Sequence, residues 1–326
     1  MISCRILWSM LVATTLCAVP GLALAQAYPN KQINIVVSFP PGGDTDALAR
    51  VFAEKLASRV GQSVVVESKT GASGTIGNSF VAKAPADGYT LLFTPNTFVI
   101  APLVLKPGAG AAYDPLNDFT PVILAGTSSL FLVVNASAGI KSVSELVAAS
   151  KAGRMNNYAS PGNGSPMHIL GSMFNRAAGT NIAQIAYRGS GPAIVDLVGG
   201  QVPMMYTTLG PVAQHIATGK LVNLAVADAK RSPLAPNVPT LAEAGIKDVE
   251  ASGWQGFLGP KGLPADVVKV LNGHINEILK MPDVLARMTT LALLPAGGEP
   301  AALARITADH YARYGKVIRE LGIQVE

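Results

Sequence analysis

The 326-residue chain has only two cysteines, Cys4 and Cys17, and both fall within its first 25 residues. Those residues read as an export signal. Arg5 supplies a positive start, Ile6 to Ala18 an apolar segment, and Ala23-Leu24-Ala25 the small-x-small pattern at which such signals are cut. The stretch Thr14-Thr15-Leu16 lacks the leucine expected three residues before a lipid-anchored cysteine. Cleavage therefore leaves an exported chain that begins at Gln26 and has no cysteine, so its fold rests on its core and not on disulfides. The apolar segment is too short to span a membrane, and no later stretch approaches ~20 consecutive apolar residues.

Charge is scarce as well. Charged residues make up 14% of the chain against 49% hydrophobic ones, a balance that excludes a disordered polymer. The formal net charge of +5, or +4 without Arg5, is spread along the chain with no dense Lys/Arg run, which excludes nucleic acid as a partner. The four histidines, His168, His215, His274 and His310, have no zinc-site spacing. No G-x-S-x-G elbow occurs, because Gly164-Ser165-Pro166 and Gly189-Ser190-Gly191 both break it. The run Gly71 to Gly77 is spaced G-x-x-G-x-x-G, not as a dinucleotide fingerprint, and there is no Walker loop. An enzyme, a metal and a cofactor are all unexpected.

What is present is a regular alternation. Short β-rich runs (Ile33 to Val37, Ser63 to Glu67, Thr90 to Thr94, Ile182 to Arg188, Val202 to Thr207, Leu221 to Ala227) alternate with helical patterns. This is α/β grammar with mixed, mostly parallel sheets flanked by helices. One helix carries Leu48, Val51, Phe52 and Leu56 and stops at Gly61; Ile76, Phe80 and Ala84 mark a second. Ser142 with Glu145 forms a capping box, and Ser165 followed by Pro166 is an N-cap with proline in the first turn of a helix closed by Gly179. Pro192 to Val198 is a further helix, Thr240-Leu241-Ala242-Glu243 opens a short one, and Pro264 to Leu321 is nearly all helical. About 300 residues after cleavage, at ~150 per domain, give two lobes. Residues 26–125 with 235–326 form the first and 126–234 the second, with crossings expected at Pro121 to Asn135 and Gly253 to Pro260. Two tandem domains are the alternative.

Two strand-to-helix loops stand where open α/β sheets hold ligands. The first runs Ser38-Phe39-Pro40-Pro41-Gly42-Gly43-Asp44-Thr45 and the second Tyr187-Arg188-Gly189-Ser190-Gly191-Pro192-Ala193. Glycine lets a ligand approach the backbone, and the helix that follows points free N–H groups and partial positive charge at it. Ser160 to Ser165 makes a third small-residue turn before a helix. Together they suit a carboxylate, although each alone is also an ordinary tight connection. One helix terminus contributes only ~0.3–1 kcal/mol toward an exposed anion, so two opposing loops are required.

Several runs taken in order resemble the Bug family, the solute receptors of tripartite tricarboxylate transporters. They are Phe39 to Gly43 with Asp46, Gly71 to Gly77, Ala84 to Leu92, Tyr113 to Pro115 with Asp118 to Val122, and Gly162 to Ser165 with Met167 and His168. Tyr187 to Ala193, Gly199 to Val202, Ala229 to Pro233 and Val238 to Thr240 follow. The resemblance spans the chain after Gln26. It implies a two-lobe periplasmic binding protein of the Venus-flytrap type (type II), monomeric, which takes a small organic acid or amino acid and passes it to the permease subunits of such a transporter. It further implies that the loop with Phe39, Pro41, Gly42, Gly43 and Thr45 clasps one carboxylate through backbone groups and bridging waters, together with the loop of Tyr187, Gly189, Ser190, Gly191 and Ala193. Polar contacts would fall on Thr94, Asn96, Ser160, Asn163, Ser165 and His168.

Two departures bear on the ligand. Asp44 stands where many relatives carry proline, alanine or serine, and the strand Pro203 to Thr207 lacks an aspartate common in that place. Asp44 is read either as an N-cap or as a cleft residue that disfavours a second carboxylate; Thr207 is read as a cleft residue. The alternative functions are a ligand-sensing subunit of a two-component system and an enzyme on the same fold.

Overall fold

The computed structural model describes residues 28–106 and 112–323; the export signal and Gln26 lie outside them. From the N-terminal side come β1 (Ile33–Val37), α1 (Asp44–Val60), β2 (Val64–Ser68), α2 (Thr75–Ala82), β3 (Thr90–Pro95), α3 (Thr97–Val104) and β4 (Phe119–Ser129). Then follow β5 (Phe131–Asn135), α4 (Val143–Lys151), β6 (Asn157–Ser160), α5 (Pro166–Ala178), β7 (Ala183–Ala186), α6 (Ser190–Val198), β8 (Met204–Thr207), α7 (Ala213–Ala217) and β9 (Leu221–Val226). The chain closes with β10 (Ser252–Pro260), α8 (Ala265–Ile278), α9 (Pro282–Thr290), β11 (Leu294–Pro295) and α10 (Pro300–Leu321).

The strands make two mixed sheets, ordered β11-β4-β10-β3-β1-β2 and β7-β6-β8-β5-β9. In the first, β1 pairs in parallel with β2 and β3, while β10 runs antiparallel between β3 and β4. In the second, β6 is parallel to β7 and β8, and β5 is antiparallel to β8 and β9. The chain passes between sheets at Leu130, the single residue separating β4 from β5, and again over residues 227–251. Gly253 to Pro260, expected as a crossing, is instead the inside of β10, because its backbone pairs on both edges with β3 and β4.

Local sequence explains most elements. α1 buries Leu48, Phe52 and Leu56 and ends at Gly61, whose φ of 67° suits glycine and whose N–H reaches the Ala57 carbonyl. Phe52, Phe93 and Phe257 pack together at centroid distances of 4.5–5.7 Å and anchor the core between the sheet and α1. Burial of one such ring contributes ~1.5–3 kcal/mol. Ser142 accepts from the Glu145 N–H and Ser165 from the His168 N–H, each opening its helix as the residues dictate. At Thr240 the reciprocal bonds with Glu243 form, yet the chain makes only turns there, because Gly245 (φ 91°) breaks it four residues after Leu241. The helical C-terminal region is interrupted by β11, which adds a short edge to β4.

α2 is helical but turned around. Ile76 and Phe80 are 48% and 45% exposed, Ala84 lies beyond the helix, and the buried residues include Gly77, Asn78 and Ser79. A Cβ on Gly77 would sit 2.7 Å from the Lys69 carbonyl and from Ser38 Oγ. The Ser38 hydroxyl and Asn78 Oδ1 lie 2.6 Å apart, and Asn78 donates to Tyr113. The polar face therefore docks against the end of β1, where apolar periodicity is uninformative. α8 packs on α1, while α10 crosses β4 and α3 and also touches α5 of the second lobe.

Candidate ligand-binding cleft

Between the two sheets lies a cavity of about 260 Å³, small-molecule sized. Loops from both lobes wall it. Phe39, Pro41, Gly42, Gly43, Asp44, Thr45 and Asn96 line it from the first, and Gly189, Ser190 and Gly191 from the second. The N-termini of α1 and α6 thus open onto one space. The first amides of a helix have no intrahelical acceptor, so both ends present N–H donors and partial positive charge to it. Gly42 and Gly189 hold φ of 86° and 106°, values that L side chains avoid, while Gly43 (φ −79°) caps α1 from an ordinary region. Gly191 has open space where a Cβ would stand.

The first loop is held by Asp46. Its carboxylate accepts from the Gly42 N–H at 3.0 Å and from two nitrogens of Arg50 at 3.0 and 2.9 Å. Burial alone would raise the pKa of Asp46, but the Arg50 guanidinium and the Gly42 amide outweigh it and hold it below the usual carboxylate range. Asp44 does not act as an N-cap: it is the first residue of α1, the cap is Gly43, and no side-chain cap bond forms. Its Oδ2 accepts instead from Thr208 Oγ1 of the second lobe at 3.1 Å. Burial pushes the Asp44 pKa up, against the opposing pull of the Thr208 hydroxyl and the Arg287 charge.

The other expected residues do not line the cavity. Ser165 caps α5, and Ser160 Oγ accepts from Gln184 Nε2 at 2.6 Å. His168 Nδ1 accepts from the Gly164 N–H, and burial lowers its pKa to about 4, so the ring is neutral. Asn163 offers its main-chain oxygen to Ser73 Oγ at 2.6 Å, a second bond between lobes. Tyr187 donates to Asp196 at 2.7 Å, which with burial pushes its pKa up to about 12. Thr94 is buried beside Asn78, Ala193 is in the core, and Thr207 is buried with no partner for its hydroxyl among the described residues. These groups shape the loops from behind.

Several lining residues were not expected from the sequence: Thr97, Ser128, Thr208, Trp254 and Gln255; Arg188 lay in the expected second loop but was not singled out. Thr208 follows directly on β8 and lines the cleft, where its hydroxyl reaches Asp44. The lobes also meet without side chains between them. A Cβ on Gly210 would lie 2.5–2.8 Å from the backbone of Leu291, and one on Gly164 3.1 Å from Cα of Ala101.

Two α/β lobes, joined at Leu130 and over residues 227–251 around a cleft of helix N-termini, have the architecture of a periplasmic binding protein. The chain belongs to the tripartite tricarboxylate transporter receptor family, whose model matches residues 48–323. It is 38% identical over 326 residues to protein BugT of Bordetella pertussis, covering 96% of this chain and 99% of that one. Among solved structures it is similar to R. palustris Rpa4515 with adipate (TM-score 0.85, 33% identity, 91% of this chain and 99% of that one). It is also similar to the periplasmic binding protein BugD (0.83, 33%, 92% and 100%) and to MatC of Rhodopseudomonas palustris with bound malate (0.82, 30%, 89% and 100%).

Proposed function

We propose that this chain is an extracytoplasmic receptor that closes on a small carboxylate-bearing ligand and delivers it to the permease subunits of a tripartite tricarboxylate-type transporter. One observation carries the reading: the N-termini of α1 and α6, one from each lobe, line the same cavity behind glycine loops. Each terminus alone is weak, but two facing donors that close on an anion and displace its water act at lower dielectric and together hold it. The neighbours with adipate and malate support the ligand class. In this reading residues 26–125 with 235–326 form one lobe, 126–234 the other, and the protein works as a monomer in the periplasm after losing its export signal. Gly43, Asp44, Thr45, Ser190 and Gly191 contact the ligand, and binding requires no catalysis or cofactor.

The test is thermal. A partner bound by the native state alone raises stability by ~2.7 kcal/mol at a hundred times its Kd. A panel of mono- and dicarboxylates, amino acids and aromatic acids is expected to raise the melting temperature with at least one member, while its uncharged amide does not. Equal responses to acid and amide would remove the carboxylate clamp, and turnover of the bound compound would point to an enzyme.

A further inference from the structure

Among the described residues, the charged side chains that line the cavity are Asp44, Asp46 and Arg188. Asp46 is closed off, because two nitrogens of Arg50 and the Gly42 amide occupy its carboxylate. Asp44 and Arg188 remain, one charge of each sign and one from each lobe. Arg188 stands just before the N-cap of α6, is exposed, and makes no ion pair among the described residues. Asp44 is half-buried at the start of α1. Its Oδ2 accepts from the neutral Thr208 hydroxyl, while its Oδ1 has no hydrogen-bond partner among the described residues. Arg287 of α9 attracts the carboxylate through space without forming an ion pair, and burial still raises its pKa. The ionised carboxylate therefore lacks a full countercharge.

We propose that the ligand is a zwitterion, an amino acid whose carboxylate is held by the helix ends with Arg188 and whose ammonium pairs with Asp44. The proposal deepens the carboxylate clamp at α1 and α6 and rests on it. With Asp46 paired to Arg50, the charges on the wall sum to zero. A zwitterion also carries no net charge, so each of its ends meets an opposite. An ammonium donates to the open Asp44 oxygen in a charge-assisted bond and supplies the missing countercharge. A hydroxyl in its place donates a hydrogen bond but brings no charge. A plain monocarboxylate leaves Asp44 unpaired while the cleft dries around it, which is costly. A second carboxylate finds no further cation on the wall and is repelled by Asp44. An amine without a carboxylate leaves Arg188 and both helix ends unanswered.

The experiment is calorimetric titration of the mature protein with linear acids of four to six carbons that carry an amine at successive positions. Each is matched with the acid lacking the amine, the hydroxy acid and the amino amide. At the best-fitting position, the amino acid is expected to bind at least about tenfold more tightly than the plain acid and the hydroxy acid. Asp44→Asn, checked for a native circular dichroism spectrum, is expected to cut that advantage to below about threefold. A purely structural latch would instead weaken all three ligands alike and leave the ratio intact. An amine that brings no advantage in the wild type overturns the zwitterion while leaving the clamp standing, and this result needs no variant. So does an advantage that survives Asp44→Asn undiminished. Amino amides that bind as tightly as the amino acids, or amino acids and plain acids that all fail to bind, overturn the clamp and the zwitterion together.

Discussion

Thr208 Oγ1 donates to Asp44 Oδ2 across 3.1 Å, joining the segment after β8 to the first turn of α1. The bond ties one lobe to the other at the edge of the cavity and turns the Asp44 carboxyl away from the amides of its own helix. Because burial raises its pKa, the ionised form is the penalised one. Asp44→Asn keeps the shape and the acceptor for Thr208 while removing the charge. We expect it to raise affinity for a dicarboxylate relative to the matched monocarboxylate roughly three- to tenfold, with stability within ~1 kcal/mol of wild type. An affinity ratio equal to wild type in calorimetry would leave Asp44 as a latch with no part in selecting the ligand.

Gly191→Val separates binding from folding. The position faces open space and its φ is not restricted to glycine, so the melting temperature of the ligand-free protein should move by no more than a few degrees. The added isopropyl group enters the cavity beside the α6 amides, and affinity should fall at least tenfold. Wild-type affinity with an intact fold would take the α6 loop out of the site.

Two histidines set a pH dependence of stability. Burial lowers the pKa of His168 and His310 to about 4. The unfolded chain takes up these protons below ~6.5, while the folded one resists until about 4, so stability is full above 6.5 and is lost as pH falls through that window. Each contributes at most ~3 kcal/mol to the loss. Asp44 and Asp228, whose pKa values are raised, oppose it at the acidic end. Melting temperatures between pH 7 and pH 4.5 should therefore decline, and His168→Gln or His310→Gln should flatten the curve. Equal slopes in both variants and wild type would show that neither ring is kept neutral by the fold.

Export is checked by N-terminal sequencing of protein from an osmotic-shock fraction. The expected first residue is Gln26; an intact Met1 or a lipid on Cys17 contradicts it.

The sequence reports local physics well and distant pairing badly. Gly61, Ser142 and Ser165 were legible because a cap is decided within four residues of itself. The two glycine loops were legible for the same reason, and ten of the expected binding residues do line the cavity. Ser160, His168 and Tyr187 sit in the right turns, but their polar atoms are taken up by Gln184, Gly164 and Asp196. The orientation of α2 was hidden because Asn78 meets Ser38 from 40 positions away. Trp254 and Gln255 reach the cleft through the pairing of β10 with β3 and β4, which no short-range pattern announces.

If the lobes close on ligand as proposed above, the bare approach of Gly210 to Leu291 is expected to limit how far they travel. Peptide backbone against peptide backbone has no rotamers to yield, so the closed gap has a fixed width whatever it holds. On that expectation cargo is gauged by length: a short solute would leave the stop in contact, and one too long would prop the jaws ajar. A methyl group there acts as a permanent shim. Gly210→Ala should give a larger radius of gyration in small-angle scattering with saturating ligand than wild type does; identical profiles would show that the jaws stop elsewhere.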